Sequence, residues 1–150
     1  MKEKFVEGNI FGKERQDEEN ERKGDAVLEP HHEMDAFFER LAQSKFRSSF
    51  HLSNADKEYI KNKGIATIRK HAKDFVKTRL APAEIKNDGK QTPWHGHPIF
   101  KAQHATGCCC RNCFMKWHNI EKGTTLTPEQ QDYAVNILME WIRRQLDLIQ

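Results

Sequence analysis

All four cysteines of this 150-residue chain fall within six consecutive positions, as Cys108, Cys109, Cys110 and Cys113, with histidines nearby at His97, His104 and His118. Thiolates so close together repel one another unless a cation neutralises them, and Zn2+, with its tetrahedral nitrogen and sulfur ligands, is the expected ion. Cys110-Arg111-Asn112-Cys113 is a C-x-x-C knuckle that lets two sulfurs reach one ion while N–H groups of the turn stabilise the thiolates. His118 is expected to lie within reach after a bend, and Cys109 and His104 complete the candidate ligands. A different constellation, His97, His104 and Cys108 on one helix face, would need a helix running unbroken through Gly107, which should interrupt it. The competing readings are a reactive or redox thiol site and inert buried cysteines. Adjacent cysteines form a strained ring if bridged, which argues against a disulfide framework.

The length allows one domain with one core. Mean hydropathy is -0.88 and charged residues make up 31%. No window approaches the roughly 18 apolar residues of a spanning helix, and MKEKFVEGNI lacks the apolar stretch of a secretory signal, so the expectation is a cytoplasmic protein with no membrane partner. The net charge of +3 conceals a division: residues 1–44 sum to -5, residues 45–123 to +10 and residues 124–150 to -2. A basic block of this kind attracts polyanions, and Arg69, Lys70, Lys73 and Lys77, or Arg111 and Lys116 beside the cysteines, are the candidate contacts to nucleic acid. The plainer alternative is that these lysines only keep a small domain in solution.

Along the chain, residues 1–33 read as a disordered tail of mixed charge, and residues 34–150 as one compact helical domain. Met34, Phe37, Phe38 and Leu41 have helical spacing, which predicts a short amphipathic helix that docks on the domain or on a partner. Ser53 caps a helix to about Asn62, and Gly64 ends it. A second helix from Thr67 to Leu80 has Ile68, Ala72, Phe75 and Val76 on its apolar face. The segment from Ala83 to His97 is long for a connection and rich in turn residues. A helix is expected over Pro98–Thr106, and Thr127-Pro128-Glu129-Gln130 opens the last one, whose core stripe is Ala134, Ile137, Leu138, Trp141, Ile142 and Ile149. No alternating strand is visible. The fold class is therefore all-α or mainly α.

The stretches FHLSNADKEYIKNKG, TIRKHAKDFVKTRLAPA, NDGKQTPWHGHPIFKAQHAT, CCRNCFMKWHNI and LTPEQQDYAVNILMEWI carry a resemblance over about residues 45–142. They resemble an uncharacterised, largely bacterial family, domain of unknown function number 4186. In that family's pattern His97, His104, Cys109, Cys110, Cys113 and His118 are matched, whereas Cys108 stands where threonine is usual. The resemblance therefore implies that Cys108 is the least favoured ligand, and it implies no activity.

His95 and His97, beside Trp94, form a possible loop site for a general base, a metal ligand or an anion contact. The plainer reading makes Trp94 a core plug. His71 and Asp74, spaced i, i+3, are expected to pair structurally. Lys116-Trp117-His118 could stack a base or sugar ring, although a tryptophan there is more often core. His31-His32-Glu33 imitates half of a zinc-deaminase signature, but it lies far from the C-x-x-C and the strands of that fold are missing. Walker A, G-x-G-x-x-G, G-x-S-x-G and H-E-x-x-H motifs are absent. Three functions stay open: a zinc-stabilised module that binds nucleic acid, a metal-dependent enzyme using the histidine-rich loop, and a protein-interaction module. Four protein ligands would close the metal site, whereas three would leave one position.

Overall fold

A computed structural model describes residues 28–147 apart from residue 87; most of the expected tail (residues 1–27) and Ile149 of the expected stripe lie outside the described residues. Among the described residues there are six α-helices and no strand, in agreement with the all-α expectation: α1 (Asp35–Ala42), α2 (Asn54–Lys63), α3 (Ile65–Phe75), α4 (Pro98–Thr106), α5 (Arg111–His118) and α6 (Pro128–Asp147). No helix among them is long and apolar enough to cross a membrane.

Local chemistry sets these boundaries. Asp56 N–H donates to Ser53 Oγ at 3.1 Å while Ser53 N–H donates to the Asp56 carboxylate at 2.9 Å, a reciprocal box that starts α2. Thr127 and Gln130 form the same arrangement at 3.1 and 2.9 Å ahead of α6. α3 passes into a single wide turn over Val76–Leu80, so the helical path reaches Leu80 as the sequence predicts. Ile68, Ala72, Val76 and Leu80 recur every fourth residue and are all fully buried, which gives this path one continuous apolar face.

That face and the inner side of α6 close around α4, in which every residue except Lys101 is buried. A helix enclosed on all sides must satisfy its polar groups internally. Thr106 Oγ1 donates to the Ala102 carbonyl at 2.7 Å and Gln103 Nε2 donates to the Cys108 carbonyl at 3.1 Å, whereas Gln103 Oε1 is buried without a partner. Because α4 is fixed at the centre, the cysteine run that leaves its last turn starts from a fixed point.

The amphipathic helix α1 docks on its own domain. Arg144 donates to Asp35 at 2.6 Å and lies over the Phe38 ring at 4.2 Å. The Glu140 carboxylate is buried and accepts from Arg143 at 3.0 Å through each oxygen, from Arg144 Nε at 2.7 Å and from His31 N–H at 3.3 Å. A buried carboxylate is tolerated only with such partners, so Glu140 ties the chain ahead of α1 to α6. Leu28 also packs on the core, so within the segment read as a tail, residues 1–33, Leu28 and His31 are tied to the domain.

α4 ends at Gly107, whose φ of 75° is left-handed and where an added Cβ would stand 2.8 Å from the Trp117 side chain. Gly107→Ala therefore combines backbone strain with a clash against a ring that packs the corner. Urea unfolding should show a loss of about 2–4 kcal/mol. An unchanged midpoint would contradict this close packing of the corner.

Candidate metal centre

Gly107 turns the chain out of α4, and Cys110 then caps α5, its Sγ accepting from Cys113 N–H at 3.4 Å. The knuckle therefore sits on the first turn of a helix, where unpaired N–H groups and the helix dipole favour negative charge. Cys109 adjoins it, and the sulfurs of Cys109, Cys110 and Cys113 all lie within 4.8 Å of one another. Tetrahedral ligands at a zinc–sulfur distance of roughly 2.3 Å would stand about 3.8 Å apart, so the trio has the dimensions of a one-ion site.

Cys108 does not join them. Its Sγ is 3.9 Å from the Thr106 carbonyl and 3.7 Å from His118 Nε2, and complete burial pushes its thiol up to about 12. It is a fully buried core thiol outside the trio.

Within the trio the proton distribution is uneven. Hydrogen bonds from Cys109 and Cys110, reinforced by Arg47, outweigh burial and hold the Cys113 thiol well below the usual thiol range. Cys109 is pushed upward by its hydrogen bonds to Cys110 and Cys113 and by burial. At Cys110 the hydrogen bond from Cys109 works downward, but Cys113 and burial outweigh it. Charge within the trio is thus favoured at Cys113, the sulfur with the shorter Arg47 contact.

The cation that faces it is Arg47, 8% exposed, from the short turn Arg47–Ser49. Its guanidinium donates to Cys113 Sγ at 3.1 Å, to Cys109 Sγ at 3.6 Å and to the His104 carbonyl at 2.6 Å. Burial opposes its charge, and the two sulfur contacts more than compensate. Sequence reasoning missed this residue because no local pattern connects it to the cysteines across 62 and 66 positions. The only signal was electrostatic: a thiolate cluster needs a cation.

The histidines are distributed differently from expectation. His104 lies beside the centre but outside the trio. Its Nε2 lies 3.2 Å from both the Thr92 and Pro93 carbonyls, and its ring is stacked on Trp94 at 3.9 Å and 7°. Burial lowers its basicity, with Arg47 adding to the effect, although the two carbonyl bonds oppose it. His118 is turned away. α5 runs unbent through it, and five residues along a helix rotate a side chain by about 140° from Cys113. His118 Nε2–H donates to the Thr106 carbonyl at 2.7 Å and Tyr133 OH donates to Nδ1 at 2.8 Å, and burial holds the ring neutral, down to about 4.

His97 belongs to a separate pair. Its Nδ1 accepts from Ile99 N–H at 3.0 Å and caps α4, which leaves Nε2 to donate to His71 Nδ1 at 2.9 Å. His71 therefore pairs with His97 and not with Asp74, because the side chains meet across the α3–α4 contact. His95 is exposed and Trp94 is 54% exposed, so the tryptophan covers His104 and is not a core plug. The loop is nevertheless tied to the centre, since Thr92 Oγ1 donates to the Cys109 carbonyl at 2.7 Å.

Of the cations considered for nucleic acid, Arg111 is turned inward. It is 2% exposed and its guanidinium donates to the carbonyls of Leu80, Ala81, Pro82, Glu121 and Thr124, so it functions as an internal strut. Lys70, Lys73, Lys77 and Lys116 are exposed, but Arg69, Lys70 and Lys73 already have interaction partners, Asn136 being one of Arg69's at 3.5 Å. Trp117 is half-buried beneath the Arg40 guanidinium, 4.9 Å away, and its ring packs where Gly107 leaves room.

The molecule is thus a small helical domain in which three cysteines at a helix corner could hold a metal ion. The family described as Domain of unknown function (DUF4186) matches residues 35–143, from α1 to the last turns of α6, and the chain belongs to that family. No solved structure matches it.

His97 is held down to about 4 by burial and by His71, against an opposing Asp56, and His118 to a similar value. Their ordinary value is near 6.5, so between about pH 6.5 and pH 4 the unfolded chain binds protons that the folded chain does not. This contribution to stability is complete above that window and is lost as pH falls through it. His97→Asn, which keeps an acceptor at the start of α4 but does not titrate, should flatten the loss when urea midpoints are measured across the window. An identical profile in wild type and variant would refute the assignment to His97.

Proposed function

We propose that the protein is a zinc-binding helical domain in which Cys109, Cys110 and Cys113 hold one Zn2+, and that the ion fastens the α4–α5 corner of a module that binds nucleic acid. The observation that carries the zinc reading is the convergence of three sulfurs within 4.8 Å of one another. Three thiolates around a divalent ion leave one negative charge, and Arg47 supplies its balance through its contacts with Cys109 and Cys113. Soft sulfur ligands at these separations suit zinc, which would fix the corner without redox chemistry of its own. The nucleic-acid reading is supported by the charge of residues 45–123, net +10, within which the whole candidate centre lies.

One observation favours the second reading, a metal-dependent enzyme. Three protein ligands leave a coordination position, as catalytic zinc sites do. The two readings share the metal and differ in whether the position exchanges with a substrate.

Metal analysis of reductively purified protein should find about one zinc per chain. Cys113→Ser should lose the metal and lower the unfolding midpoint, since binding energy of a structural ion is also folding energy. Cys108→Ser should keep it. Arg47→Ala should weaken zinc affinity by about 10- to 100-fold, as loss of an outer-shell partner does. Absence of zinc from the wild-type protein, or retention in the Cys113 variant, would refute the site.

A further inference from the structure

We propose that Phe46 and Trp94 form a platform on which bases of a single-stranded nucleic acid stack, beside the metal centre. The proposal rests on the nucleic-acid reading above and names the part of the surface that performs it. Phe46 is 50% and Trp94 54% exposed, unusual for large aromatic side chains in a domain whose other tryptophans are largely covered. Their rings meet edge to face with centroids 6.3 Å apart. Phe50 and His104 lie nearly parallel to the Trp94 ring, with His104 flat against one indole face at 3.9 Å. His104 thus covers one indole face, and the exposed part of Trp94 lies on the rest of the ring, where a planar base can reach it.

Both rings are positioned by the cysteine centre. Arg47, bonded to Cys109 and Cys113, lies over the Phe46 ring at 5.0 Å. Trp94 rests on His104, and two residues before it Thr92 is bonded to the Cys109 carbonyl. A ring held from beneath loses little freedom on binding, which favours stacking over loose contact.

Charge identifies the occupant. The segments that carry the rings and the centre, residues 45–55 and 89–120, contain Lys45, Arg47, Lys90, Lys101, Arg111 and Lys116 and no Asp or Glu. Lys101 is engaged by Asp56 at 2.5 Å and Arg111 is internal, whereas Lys45, adjoining Phe46, and Lys90, four positions before Trp94, are exposed. Exposed aromatic rings, one of them under the Arg47 guanidinium, in segments that carry exposed lysines and no anion fit a strand that offers flat bases and phosphates together. A duplex keeps its bases stacked inside and would not fit. This also moves the interface away from α3, where Arg69, Lys70 and Lys73 are already engaged.

The test uses full-length, metal-loaded protein and a fluorescein-labelled oligothymidylate, with anisotropy read at low salt. Wild type should bind the single strand more tightly than a duplex of equal length. Phe46→Ala and Trp94→Ala should each weaken binding by at least about fivefold, with Trp94→Phe restoring part of it. Zinc content and unfolding midpoint of the Phe46 variant should stay at wild-type values, which keeps the proposal testable even if Trp94→Ala disturbs His104. Lys45→Gln with Lys90→Gln should lower the slope of log affinity against log salt. Failure of the wild type to bind, equal binding by the Phe46 and Trp94 variants, or self-association through this face without strand binding would overturn the proposal. A wild type that takes up no zinc when it is supplied and yet binds the strand would refute the metal site and leave the platform standing.

Discussion

Three sulfurs within 4.8 Å of one another cannot all carry charge without a cation among them, and this requirement organises much of the domain. Arg47 meets part of it. Its guanidinium is bonded at once to Cys113, to Cys109 and to the backbone of α4, so the turn that carries it is bound to the centre from outside the cysteine run. A Zn2+ between the sulfurs would replace the proton sharing among the thiols with direct bonds and leave Arg47 to balance the remaining charge.

The centre needs a rigid base, and α4 provides it. Enclosure of α4 by α3 and α6 fixes the end of the helix, and Gly107 allows the reversal that sets Cys110 at the start of α5. Trp117, one helical turn beyond Cys113, fills the space that Gly107 leaves. The loop enters the same assembly through Thr92 and the Trp94–His104 stack. The α4–α5 corner, the Arg47 turn and the loop are thus all bonded to the cysteine run or packed beside it. The buried Glu140 network on α6 holds α1 in place by different means, through ion pairs and hydrogen bonds of its own.

Features governed by near neighbours in the chain were legible in the sequence. The Ser53 cap, the capping box at Thr127, the helix starting at Pro98, the break at Gly107 and the apolar spacing of Ile68, Ala72 and Val76 all depend on contacts within a turn or two, whereas the completion of the Ser53 box by Asp56 and the place of Leu80 on that face came only with the structure. The three cysteines were legible for the same reason, being near neighbours themselves. What escaped was set by packing at long range. His118 was expected to swing toward the cysteines, but an unbroken α5 points it at Thr106 and Tyr133. His71 found His97 across two helices and left Asp74. Arg111 reads as a surface cation and is an internal strut, and Arg47 reads as nothing in particular until the fold brings it to the thiolates. Charge at long range has no periodicity to betray it.

The central claim is that three thiolates and no fourth sulfur hold one zinc ion. X-ray absorption at the zinc edge of the purified, reduced protein tests it directly, because sulfur and lighter scatterers separate by distance and amplitude. The account predicts three sulfurs at about 2.3 Å and a single nitrogen or oxygen donor nearer the ion, at roughly 2.0–2.2 Å. A four-sulfur shell, which would require Cys108 to leave the core, or a shell without sulfur would contradict it.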